Sequence, residues 1–148
     1  MNLEAIEQRT LSLLKQAMNP LVPFDTLVEH LRREEELGEF SNAELLDFLR
    51  HHELFEVVEP LKLAAQGIPE AVFADAGLRL SPHVILNTRV PTERQMAEQM
   101  GRQLRSLADA LSAAMAAAKE QGQPDRAQAL IKLLARTEEL HARVARFA

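Results

Sequence analysis

Residues Ser41 to Pro60 read SNAELLDFLRHHELFEVVEP, and they constrain the fold more than any other stretch of the chain. Ser41 is suited to cap a helix through its hydroxyl. Glu44, three residues on, is placed to reach back toward the cap's N–H. Leu45, Leu46, Phe48 and Leu49 then supply a helical apolar face. Leu54 to Val58 is short, apolar and partly β-branched, which favours an extended strand. A capped helix that turns tightly into a strand calls for a fold in which helices back a small sheet.

The residues before Ser41 add two more helices. Leu3, Ile6, Leu13, Leu14 and Ala17 share one face of a helix over roughly 2–18. Asn19-Pro20 ends it, because a residue before proline avoids the α region. Leu21-Val22 reads as a brief extended piece. Pro23 fits the first turn of a second helix, and Asp25 is an alternative cap. Phe24, Leu27, Val28, Leu31 and Leu37 form its stripe, and Gly38 stops it.

Beyond Pro60, Pro69 to Ala74 suits a short helical turn, and Leu78 and Leu80 alternate with Arg79 toward a strand. Residues 61–80 otherwise carry no decisive pattern. Val84 to Val90 reads as a returning strand, paired with Leu54–Val58 into a hairpin. Three helices and this hairpin resemble a winged-helix domain over residues 1–90, with Ser41–His52 in the place of its recognition helix. The resemblance is one of fold, and such folds serve DNA binding and protein binding alike.

After Pro91 the texture changes. Met96, Met100, Leu104, Leu107, Leu111 and Met115 are spaced by 4, 4, 3, 4 and 4, one continuous helical seam. Gln121-Gly122-Gln123-Pro124 is a turn, and Asp125 suits the start of the next helix. That helix offers Leu130, Leu133, Leu134, Leu140, Val144 and Phe147. Residues 91–148 are thus expected to form a long antiparallel helical hairpin. Neither helix can hide so long a stripe alone, which points to self-association or a protein partner through Met100, Leu104, Leu107, Leu111, Leu134, Leu140 and Val144. A twofold homodimer is the expected form.

Pro91 to Gly101 reads PTERQMAEQMG. It resembles the opening of the DNA-contacting helix pair in the GntR family of winged-helix repressors, through Thr92, Glu93, Arg94, Met96-Ala97 and Gly101. The resemblance implies DNA contact by Arg94. It covers about eleven residues, and Gln103-Leu104 replaces the Ser-Arg pair that opens that family's recognition helix. The plainer reading is a helix capped by Thr92 with Pro91 before it.

Charge argues against nucleic acid. Residues 1–90 carry 8 Lys+Arg and 15 Asp+Glu, net −7, while 91–148 carry 9 and 7, net +2. Phosphate attraction supplies most non-specific DNA affinity, and an acidic half works against it. Glu44 and Asp47 on the third helix sit where major-groove readers want Arg, Lys, Asn or Gln.

Chemistry is equally sparse. Hydrophobic residues make up 47% of 148 residues, enough for a core, and there is no Cys, Trp or Tyr. Disulfides, thiolate metal sites and Cys nucleophiles are excluded. Adjacent His51 and His52 diverge by about 100° on a helix and do not share a metal easily. His30, His83 and His141 lack a ligand-spaced partner. Glu34, Glu35, Glu36 and Glu39 read as a solvated flank, and no nucleophile elbow or phosphate-binding glycine loop is present. No enzyme activity, cofactor or metal is expected. No apolar run approaches a membrane span, and the acidic N-terminus is unlike a signal peptide, so a cytoplasmic protein is expected. Two functions remain: an adaptor acting through protein contacts, or a dimeric DNA-binding regulator using Arg79, Arg89, Arg94, Arg102 and Arg105.

Overall fold

The computed structural model describes residues 1–60, 68 and 80–148. The protein is mostly helical. Its elements are α1 (Leu3–Gln16), β1 (Val22–Pro23), α2 (Phe24–Arg32), a 3-10 turn (Glu35–Leu37), α3 (Asn42–His51), β2 (Phe55–Val58), β3 (His83–Leu86), α4 (Glu93–Glu120) and α5 (Pro124–Ala145). The chain divides into two compact units. The first holds Met1–Pro60 and Ser81–Gln95. The second holds Met96–Ala148 with Ile68 and Leu80. The first unit is therefore discontinuous, and the later crossing lies inside α4 at Gln95–Met96, where the sequence suggested one division at residue 90.

In the first unit, α1 opens on the Asn2 side chain, which accepts the Ala5 N–H at 3.2 Å. Ile6, Thr10 and Leu14 are its buried face. Its far end is closed from outside. The Arg89 guanidinium donates to the Leu14 carbonyl at 2.5 Å and the Lys15 carbonyl at 3.4 Å, satisfying acceptors that a helix end leaves open. Asn19 then turns the chain, accepting the Leu21 N–H at 3.0 Å and donating to the Gln95 carbonyl at 3.1 Å.

α2 begins after Pro23 without a side-chain cap of its own. Its first N–H groups reach across the unit instead. Phe24 donates to the Pro82 carbonyl at 2.8 Å and Asp25 to the Ser81 hydroxyl at 3.2 Å. α2 ends at Arg32, and Leu37, expected on its stripe, sits in the separate 3-10 turn but is buried in the same core. Gly38 follows at φ 76, a backbone region that suits glycine. Ser41 caps α3 as its sequence predicts, accepting the Glu44 N–H at 3.1 Å, and Leu45 and Leu49 point inward.

The sheet has three antiparallel strands in the order β1-β3-β2. Val22 and Pro23 pair with Val84 and His83, while Phe55 to Val58 pair with Leu86 to His83. The expected two-stranded hairpin is corrected twice. Val22 and Pro23, one residue past the expected extended piece Leu21-Val22, form a third strand, and β3 stops at Leu86 instead of running to Val90. Asn87 to Val90 turns away, with the Arg89 N–H on the Leu86 carbonyl at 2.9 Å, and this turn delivers the Arg89 side chain to α1. All four β3 residues are buried, and Ile6, Leu14, Leu27, Leu31, Leu45, Leu49, Phe55 and Val84 form one core around them.

The second unit is a helical hairpin. α4 starts on a reciprocal capping box: Gln95 N–H donates to the Thr92 hydroxyl at 3.1 Å and Thr92 N–H to the Gln95 side chain at 2.9 Å. It runs 28 residues without a break. It ends in a Schellman turn, in which Gly122 at φ 67 donates to the Lys119 carbonyl at 3.2 Å and Gln123 to the Ala118 carbonyl at 2.9 Å. Pro124 opens α5, where its missing N–H costs no helical bond. Leu104, Leu107, Leu111 and Ala118 from α4 pack with Ala127, Leu130 and Leu140 from α5, joined by Ile68. The expectations for residues 69–74 and for Leu78 and Arg79 lie outside the described residues.

Candidate interaction surfaces

Three surfaces follow from the sequence: the α3 face, the five arginines Arg79, Arg89, Arg94, Arg102 and Arg105, and the seam of the helical hairpin.

On α3 the outward residues are Asn42, Glu44, Asp47, Arg50 and His51, all exposed. Most of their polar groups have partners on the same unit. Arg32 donates to the Asn42 side-chain carbonyl at 2.6 Å and lies 5.7 Å from the centre of the Phe40 ring. Arg50 pairs with Glu59 at 2.8 Å, and His51 faces Asp47 at 3.3 Å. Glu44 and Asp47 leave this face acidic.

His52, next in sequence, differs from His51. Its side chain is only 16% exposed and stacks between Phe48 and Phe55, with ring centres 5.3 and 4.6 Å away. Its Nδ1 accepts the Leu54 N–H at 3.1 Å, so Nε2 carries the hydrogen that faces Glu7 at 3.3 Å. His51 is solvent-exposed, whereas His52 is not. His52 is a joint between α1, α3 and β2, and its sequence signal was the pair of flanking phenylalanines at Phe48 and Phe55.

Four of the five arginines are described, and the division of the chain separates them: Arg89 and Arg94 belong to the first unit, Arg102 and Arg105 to the second. Arg89 is half-buried and occupied at the end of α1, which removes it from the set of candidate phosphate contacts. Arg94, Arg102 and Arg105 are exposed. Glu98 stands four residues from both Arg94 and Arg102, and Asp109 four from Arg105, a mixed-charge helix side. The helix-turn-helix likeness of Pro91–Gly101 meets an unbroken α4, since no turn follows Gly101.

The hairpin seam lies largely inside the single chain. Of the seven residues expected to face a partner, Leu104, Leu107, Leu111 and Leu140 are buried within the single chain, and Met100, Leu134 and Val144 are half-buried. Leu134 and Val144 pack on the same core as the buried four. The expected surplus of apolar stripe is mostly core. What α4 leaves open is a groove of about 360 Å³ lined by Ala110, Ala113, Ala114, Ala117 and the Gln121–Gln123 turn.

Among the described residues no group of three or more His, Asp or Glu is placed to hold a metal ion, and no helix is long and apolar enough to cross a membrane. No protein-family model matches the chain, and neither the curated proteins nor the solved structures contain a match.

Proposed function

We propose that this protein is a non-enzymatic adaptor: a monomer whose first unit, a winged-helix-like module, holds a basic protein partner. Three helices followed by the paired strands β2 and β3 support the likeness to that fold. The observation that carries the function is the state of α3. A helix that reads a major groove presents free Arg, Lys, Asn or Gln. Here Asn42 is held by Arg32, Arg50 by Glu59, and the remaining outward charges are Glu44 and Asp47. A basic surface suits such a face better than phosphate.

Fluorescence anisotropy with a lysine-rich peptide and a short random-sequence duplex, at about 50 and about 200 mM salt, tests this. The peptide is expected to bind, more weakly at the higher salt, and the duplex is not. Micromolar duplex binding at the higher salt would overturn the proposal. Light scattering is expected to give the monomer mass of 16.6 kDa, because the hairpin seam is mostly internal. Twice that mass would restore self-association. The alternative, a dimeric DNA-binding regulator, draws on the exposed Arg102 and Arg105 of α4. Duplex binding that Arg102→Ala and Arg105→Ala abolish would establish it.

A further inference from the structure

A sheet with the order β1-β3-β2 has β2 at one border among the described residues. The direction of each β2 residue follows from the ladder. Asn87 N–H donates to the Leu54 carbonyl at 3.0 Å, in the same register as Phe55↔Leu86. Antiparallel ladders alternate between hydrogen-bonded and non-hydrogen-bonded pairs. Glu56 and Val58 therefore bond β3, while the N–H and C=O groups of Phe55 and Val57 turn away from it. Such a border is a template for one more strand.

Its charge selects the occupant. Glu53, Glu56 and Glu59 are all exposed along or beside β2, and among the described residues only Glu59 of the three has a cationic partner, Arg50 at 2.8 Å. A second copy docking border to border would bring these carboxylates together, and like charges across strands repel. An extended segment with lysine or arginine at alternate positions would instead set a cation beside Glu56.

We propose that β2 is a docking edge for an extended, lysine- or arginine-bearing peptide segment, which joins the sheet as an added strand. The inference rests on the adaptor reading and specifies how the partner is held.

The test uses the full chain and two synthetic peptides of equal charge. One alternates Lys and Val; in the other, proline replaces valine and denies the backbone donors a strand needs. Amide hydrogen exchange is the readout. The alternating peptide is expected to slow exchange at Phe55 and Val57 by about tenfold or more, equivalent to about 1.4 kcal/mol, and the proline peptide is not. In the protein, Val57→Pro removes an outward donor without removing a β3 bond and is expected to abolish that protection. Glu56→Lys, at an exposed site, is expected to weaken the alternating peptide about tenfold. If both peptides bind equally and protect α3, strand addition is overturned while the adaptor reading stands. If neither peptide binds, both fall. Protection at Phe55 that survives Val57→Pro, or protection at Phe55 and Val57 that survives Glu56→Lys, would also overturn it.

Discussion

The two units are built from opposite kinds of contact. In the second, α4 and α5 are neighbours in sequence joined by a Gly122 turn, and the leucine spacing that makes each helix amphipathic also builds the core. In the first, the decisive contacts are remote. Arg89 closes α1 across 75 residues, Ser81 and Pro82 receive the first N–H groups of α2, and β3 joins strands from both earlier parts of the chain. A local unit can be read from periodicity. A non-local unit must be read from groups whose partners have no sequence mark.

The largest expected break falls in the local unit. Leu107 is fully buried, and Leu107→Ala is expected to cost about 2–5 kcal/mol in urea unfolding, from lost transfer energy plus a cavity. A cost under about 1 kcal/mol would mean the hairpin core is loosely packed.

Next is the remote cap. Arg89→Ala is expected to lose about 1.5–3 kcal/mol, the range for hydrogen bonds made by charged groups. Both bonds leave Arg89 Nη1, so Arg89→Lys keeps a cationic donor on a shorter, non-planar head and is expected to recover part of the loss. Full stability in Arg89→Ala would return that side chain to the list of surface cations.

Two glycines sharpen the same contrast with effects of opposite sign. Gly122→Ala forces a side chain into φ 67 and is expected to cost about 1–2 kcal/mol. Gly101 sits inside α4, and a Cβ there would meet His141 Nε2 at an ordinary 3.9 Å. Gly101→Ala is therefore expected to gain up to about 1 kcal/mol from helix propensity, seen as a raised Tm.

The smallest effect concerns Thr10, fully buried on α1 with a hydroxyl that finds no partner. Thr10→Val keeps the shape and removes the orphan group, so equilibrium unfolding should show a gain of about 1 kcal/mol or less. Thr137 is the internal control. Its hydroxyl bonds the Leu133 carbonyl at 2.8 Å, and Thr137→Val should show no such gain.

The same contrast sets what was legible beforehand. The Ser41 cap, the Thr92 cap, the Gly122 turn and both hairpin helices were readable, because each depends on residues within four or five of one another. Leu37 was assigned to the right core by its apolarity but to the wrong element, since the break after Arg32 follows from a turn with no proline or glycine to announce it. The early stop of β3 was hidden by Val90, which looks like strand but is 76% exposed once Arg89 is drawn to α1. The seam's place in the core was not legible for a different reason. Amphipathicity says that a face is buried, and not by which molecule.

The order β1-β3-β2 also has a meaning in time. A ribosome delivers β1 and β2 well before β3, yet β1 and β2 never pair with each other, and each finds its only described partner in β3. Until Leu86 has emerged, Phe55 and Val22 lack the strand that pairs with them among the described residues. The ladder between these strands must wait for the middle strand, a delay that local hairpins do not face. During synthesis, the apolar side chains of β1 and β2 therefore stay without their strand partner longer than the helices of the later hairpin wait for one another.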